Sequence, residues 1–250
     1  MTLFLTSSPC LGWAGDLNPA NAFLDTLRQS LPHPLNCLFI TSSPDDIEMT
    51  DRMAWEMREI FERADLAFDH YEVLDRRQQR NVSQMLRHAN FVILAGGHVP
   101  TENRFFTEMH LRQRIRYWAL QRTDSVMLSI SAGSMNAANV VYSSPELEGE
   151  SIDPNYKLYL RGLGLTGINI LPHFQMLAES RLDGRRLIED IIASHSYGHP
   201  IYCLPDGSWF HIKDIHVPGA RSITTLYGEA YLMLDGKLSQ ITSDGDVVTV

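Results

Sequence analysis

The sequence predicts an α/β fold built on a parallel, doubly wound sheet. Two features carry that expectation. Short apolar strand patterns alternate with longer helical ones, and each strand pattern runs into turn-forming residues. The strand patterns are residues 3–6, 37–41, 68–73, 91–95 and 126–130. Each lacks a regular polar face, as expected where helices cover both sides of the sheet.

The intervening segments carry helix signals. Ser43-Pro44-Asp45-Asp46 offers a serine N-cap, a proline at the first helical position and acidic residues in the first turn. The stripe Met53, Met57, Ile60, Phe61 and Ala64 then faces a core. A second long helix is expected from Thr101, burying Phe105, Met109, Leu111, Ile115 and Trp118. Helices of this length between strands imply right-handed crossovers. Beyond residue 140 the pattern changes to an irregular acidic stretch over 141–157, a helix over 183–193 and a β-meander. The meander strands are expected at 201–203, 209–212, 222–226, 230–234 and 247–250, with tight turns at Asp206-Gly207 and Asp235-Gly236. Neither a linker nor an internal repeat divides residues 1–250, so one domain is expected.

Composition narrows the function. The net charge of −9 argues against a nucleic-acid partner, which requires a basic face. No apolar run reaches the ~20 residues of a membrane-spanning helix, and Met1–Thr6 lacks a secretory n-region, so a cytoplasmic protein is expected. Cys10, Cys37 and Cys203 are too few and scattered for a disulfide framework or closed zinc site, and are expected as packed thiols.

Chemistry concentrates at two strand ends. Residues 125–134 read Ser-Val-Met-Leu-Ser-Ile-Ser-Ala-Gly-Ser, a buried strand running into Ser131-Ala132-Gly133 and then a helix-forming segment. A nucleophile elbow has this form, because its sharp turn needs small neighbours, although Ser129 stands where glycine is usual. Ser131 would then be a nucleophile and the Ala132 amide an oxyanion donor; an ordinary capping serine is the other reading. In the second segment, the strand over 91–95 runs into Gly96-Gly97-His98, where paired glycines let backbone amides approach a ligand. Gly97 is a candidate second oxyanion donor, and His98 a candidate substrate contact. Both ends lie where parallel sheets bind ligands.

A serine nucleophile needs a base. His173 follows Ile170-Leu171-Pro172 and therefore stands at a strand end rather than on a helix face. His195 and His199 have the i, i+4 spacing of a metal pair, but Gly198 and Pro200 break the helix that would align them, and no metal is expected. The third member of a triad would be a carboxylate, with Glu146, Glu148, Glu150 and Asp153 all lying between nucleophile and base.

Together, Ser-Ala-Gly after a strand, Gly-Gly after the preceding strand, Asp153-Pro154 and Ile170-Leu171-Pro172-His173-Phe174 resemble the serine peptidase family of aspartyl dipeptidase and cyanophycinase. The opening Leu3-Phe4-Leu5-Thr6-Ser7-Ser8 and the late Leu204-Pro205-Asp206-Gly207-Ser208-Trp209 are similar to that family as well. The resemblance implies a three-layer flavodoxin-like sheet, as in class I glutamine amidotransferases; no cofactor is expected. It implies Ser131 as nucleophile, His173 as base and Gly97 and Ala132 as oxyanion donors. It places the acid in the loop before Asp153-Pro154, with Glu150 chosen over Glu148 and then Glu146. The implied substrate is a small peptide. Arg181, Arg185 and Arg186 lie in the region where the dipeptidases hold an acidic side chain, but none aligns with that arginine. Neither a nucleic acid nor a membrane is expected as partner, and a homo-oligomer stays open.

Overall fold

Four apolar runs and the mixed edge run His70–Leu74 form parallel strands, with alternate residues facing cores on opposite sides. The computed structural model describes residues 1–12, 15–215 and 221–250. The strands are β1 (Thr2–Thr6), β2 (Asn36–Ile40), β3 (His70–Leu74), β4 (Phe91–Leu94) and β5 (Val126–Ile130), in the order β3-β2-β4-β5-β1. This is the flavodoxin order with the first strand moved into fifth place. Leu3, Leu5, Leu38, Ile40, Val92, Leu94 and Met127 enter one core. Phe4, Cys37, Phe39, Phe91, Ile93, Val126 and Leu128 enter the other. The two-residue side-chain period thus divides each strand between two layers.

Helices close both layers. On the Phe4 side lie α1 (Phe23–Ser30) and α2 (Ile47–Arg63), which bury Phe23, Leu27, Ile60 and Phe61. On the Leu3 side lie α3 (Val82–His88), α4 (Val99–Glu108), α5 (Leu111–Gln121) and α6 (Ala132–Asn136). The N-cap of α2 is Asp46, whose carboxylate accepts from Met49 N at 2.9 Å, rather than Ser43. The single helix expected from Thr101 is two, because His110 adopts a left-handed conformation (φ 52°) between α4 and α5.

The remaining strands are β6 (Val140–Tyr142) paired with β7 (Tyr159–Arg161), then β8 (Asn169–Leu171), and β9 (Arg181–Leu182) paired with β10 (Arg185–Arg186). They are followed by β11 (Ile201–Cys203), β12 (Trp209–Lys213), β13 (Ile223–Tyr227), β14 (Ala230–Leu234), β15 (Lys237–Thr242) and β16 (Val247–Thr249). The expected C-terminal meander is divided between two sheets. Strands β12, β13 and β16 extend the main sheet antiparallel beyond β1, giving eight strands, whereas β15-β14-β11-β8 form a second sheet. Each set buries different side chains. Trp209 stacks on Phe4 (5.4 Å) and Tyr227 (4.1 Å), while Ile201, Cys203 and Met233 pack under the π-helix Leu187–Ile192. That π-helix and the hairpin turning at Asp183-Gly184 (φ 51° and 78°) replace the helix expected over 183–193. Cys10, Cys37 and Cys203 are buried free thiols. Among the described residues, no helix is long and apolar enough to cross a membrane.

The short helix α6 is held from behind by buried polar groups. Asn136 Nδ2 donates to Glu102 Oε2 (3.0 Å), Val99 O and Ala132 O, and its own Oδ1 accepts from Asn103 (2.8 Å). Glu102 is fully buried, and burial pushes its carboxyl well above the ordinary value of 4.5 despite the hydrogen bond from Asn136. The unfolded chain therefore releases this proton as pH rises past 4.5 while the folded chain keeps it, so the group lowers stability with rising pH. Glu102→Gln, which stays neutral, should gain stability relative to the parent from about pH 4 towards pH 8. Denaturant melts across that range would test this; a difference that does not change with pH would contradict it.

Candidate active site

Ser131 sits where β5 meets α6, at φ 48° and ψ −114°, in a region that costs a non-glycine residue about 1–3 kcal/mol. The surrounding backbone holds it there. Thr6 O accepts from both Ser131 N (3.1 Å) and Ser134 Oγ (2.9 Å), and Ser134 Oγ accepts in turn from Thr6 N (3.1 Å). Thr6 Oγ1 donates to Ser129 O (2.8 Å). The end of β1 therefore clamps the turn on both sides of the serine. Gly133 lets α6 start against β4: a Cβ there would lie 2.6 Å from Ala95 O and 2.7 Å from Leu94 O. Ser129, the departure from the usual glycine, is wholly buried.

His173 reaches Ser131 from the second sheet. It follows β8 at the start of α7 (Phe174–Leu177), in a left-handed conformation (φ 56°), and its Nε2 lies 3.0 Å from Ser131 Oγ. Its Nδ1 lies 2.8 Å from Asp206 Oδ1. An ionised carboxylate only accepts, so Nδ1 carries the proton; in the neutral ring Nε2 is then the acceptor and Ser131 the donor. Asp206 Oδ1 also accepts from Ser7 Oγ (2.7 Å), and Oδ2 accepts from Gln175 Nε2 (2.7 Å). Ser7 Oγ accepts from His173 N at 2.7 Å as well, so one hydroxyl locates both histidine and acid. Burial pushes the Asp206 carboxyl up, but the hydrogen bonds from His173, Ser7 and Gln175 and the charge of His173 outweigh it and hold the carboxyl below its usual range.

The acid on His173 is thus Asp206, and the expectation of Glu150 is corrected. Glu150 Oε1 takes His98 Nε2 (3.0 Å), and its Oε2 accepts from Glu146 N (2.8 Å) and Leu147 N (3.0 Å). Its oxygens are engaged in fastening the acidic loop to the start of α4. Asp206 wins its position through strand order. Strands β8 and β11 are parallel neighbours, so the residues that follow them emerge side by side. Leu204 N donates to Leu171 O (2.9 Å) and Phe174 N to Leu204 O (3.1 Å), which brings Asp206 beside His173. Asp206-Gly207 reads in the sequence as a tight turn, and it is one, with Gly207 at φ 92°. That turn signal conceals the second use of the aspartate. Gln175 carries no sequence signal of its own, and Ser7 enters only as part of the opening Leu3–Ser8 run.

The glycine pair lies against the serine. A Cβ on Gly96 would meet Ser131 Cβ at 3.0 Å. His98, one residue beyond Gly97, is engaged at both ring nitrogens, by Glu150 and by Thr101 Oγ1 (2.9 Å). His195 Nδ1 meets the Tyr142 hydroxyl (3.0 Å), and the His199 ring lies 4.7 Å from that of Tyr159, so the pair is tied to tyrosines. Arg185 donates to Ser151 O and Asp190 O, and Arg186 pairs with Asp190 and Glu189.

The model of peptidase family S51 matches residues 3–218. The chain is similar to the crystal structure of a peptidase from an acI-B1 Actinobacterium, with a TM-score of 0.63 and 15% identity over 100% of this chain and 96% of the other. It is also similar to that of a candidate peptidase E from Listeria monocytogenes EGD-e, with a TM-score of 0.58 and 16% identity over 89% of this chain and 96% of the other. At these identities the likeness shows the fold. No curated protein sequence matches.

The two carboxylates can be separated by substitution. Asp206→Asn is expected to lower kcat by about 10³–10⁴-fold, because the amide favours the wrong imidazole tautomer. Glu150→Gln is expected to cost far less. Steady-state kinetics of the two purified variants would check this, and the reverse ranking would contradict it.

Proposed function

Because the chain belongs to peptidase family S51, we propose that it is a serine-type hydrolase that cleaves a small peptide or peptide-like amide through an acyl-enzyme. The observation that carries this reading is the chain of contacts Ser131 Oγ–His173 Nε2 (3.0 Å) and His173 Nδ1–Asp206 (2.8 Å). Both distances are those of formed hydrogen bonds.

In this mechanism Ser131 Oγ attacks the substrate carbonyl carbon as its proton passes to His173 Nε2. The imidazolium that forms is stabilised by ionised Asp206. The oxyanion of the tetrahedral intermediate is received by the amides of Gly97 and Ala132. As the first amide of α6, Ala132 N–H has no carbonyl within its own helix to bond. Collapse of the intermediate breaks the C–N bond, and His173 returns its proton to the departing amine. Water then attacks the acyl-serine, again giving a proton to Nε2, and its collapse releases the acid and restores Ser131.

His98 borders this path beside Gly97. With both nitrogens engaged, it would meet a substrate with its ring face. An N-terminal aspartate is not required of the substrate, since Arg185 is bonded to Ser151 O of the acidic loop and Asp190 O of the π-helix, and Arg186 to Asp190. The buried free thiols suit a reducing compartment such as the cytoplasm.

The test is a survey of short peptides with parent and Ser131→Ala proteins. The variant should fold and melt like the parent, yet lose activity by at least about 10³-fold on any peptide the parent cleaves. Parent-level hydrolysis by the variant would overturn the reading.

A further inference from the structure

We infer that Ser42, just beyond the end of β2, is a positioning residue that holds the Gly96–Gly97 peptide with its amide turned towards the oxyanion. This rests on the hydrolase reading above. Ser42 is only 2% exposed, and its Oγ donates to Gly96 O at 2.6 Å. A trans peptide carries its carbonyl and the following N–H on opposite sides. With the Gly96 carbonyl drawn to Ser42, the Gly97 N–H is turned away from Ser42.

Contacts on either side of this peptide fix where it lies. A Cβ on Gly97 would meet Ser42 Oγ at 2.5 Å and Ser42 Cβ at 2.6 Å, whereas a Cβ on Gly96 would meet Ser131 Cβ at 3.0 Å. The peptide is therefore sandwiched between Ser42 and the nucleophile. The ladder between β2 and β4 ends just before it, with Ala95 N donating to Ile40 O (3.0 Å). Past that point both residues flanking the peptide are glycines, whose backbones rotate with little steric resistance. The sandwich demands glycine and so leaves the peptide free to flip. A flipped peptide would aim a carbonyl oxygen, instead of an N–H, at the developing negative charge. The hydroxyl of Ser42 opposes that flip through its bond to Gly96 O, and so acts through the peptide.

The experiment measures phosphonylation of Ser131 by a fluorophosphonate, which needs no knowledge of the natural substrate and places a P–O group where the oxyanion forms. Rates over a range of probe concentrations separate the reversible affinity KI from the limiting rate kinact. Ser42→Ala should lower kinact by about 10-fold or more, towards the 10²–10³-fold cost of removing an oxyanion donor, with KI unchanged. Ser42→Thr, which keeps a hydroxyl, should recover part of the rate. Ser42→Cys, nearly the same size but with a weak donor, carries the same test if the alanine variant does not fold. A folded Ala or Cys variant with parental kinact, or with its whole loss in KI, would overturn the inference for Ser42. A parent protein that the probe does not label at Ser131 would instead overturn the hydrolase reading.

Discussion

The hydrogen bond between Asp206 and His173 ties two neighbouring strand ends of the smaller sheet at the point where that sheet meets the larger one. His173 and Asp206 leave adjacent parallel strands of the smaller sheet, whereas Ser131 and Ser7 leave β5 and β1 of the larger one. Asp206 also opens the segment that crosses to the larger sheet, because β12 begins at Trp209 and pairs with Thr6 at the end of β1. Ser7 closes the circuit by bonding both Asp206 Oδ1 and His173 N. The tautomer of the imidazole, its aim at Ser131 and the relation of the two sheets therefore rest on one cluster of short polar contacts. Hydrogen bonds to an ionised group are stronger than neutral ones, which makes a half-buried carboxylate an effective hub.

The large sheet contributes stiffness where the backbone is strained. Ser131 is held in an unfavourable conformation by Thr6 and Ser134, both buried, and α6 is in turn braced by Asn136 and the neutral acid Glu102. Small residues occur at the points where strands and turn crowd together. Gly133 allows β4 to pass behind α6, and Gly96 allows the same strand end to lie against the serine. The same crowding that fixes Ser131 leaves the neighbouring glycine peptide dependent on the hydroxyl of Ser42.

The sequence made the parallel core legible because strands covered on both faces are apolar runs, and residues 126–130 coincide with β5. Ser131 and His173 were legible as candidates because each stands at a strand end with a distinctive local pattern. The acid was not. The acidic residues between Ser131 and His173 draw attention to the loop before Asp153-Pro154, but Asp206 lies beyond His173 in the chain and comes to it through the pairing of β8 with β11, which local patterns do not encode. The division of the C-terminal strands between two sheets was hidden for the same reason. Trp209 and Ile201 both belong to short apolar strands, and only long-range packing tells which core each enters. Glu150 shows how spacing misleads, since it meets His98, 52 residues upstream, whereas His173 meets Asp206.

The most direct measurement is of the proton on His173 Nδ1. In NMR spectra of the uninhibited protein, the structure calls for a low-field, slowly exchanging imidazole N–H resonance, assigned by its loss in His173→Ala. That resonance should disappear or move markedly in Asp206→Ala and persist in Glu150→Gln. A resonance that is indifferent to Asp206 and abolished by Glu150→Gln would contradict the assignment of the acid and the arrangement built upon it.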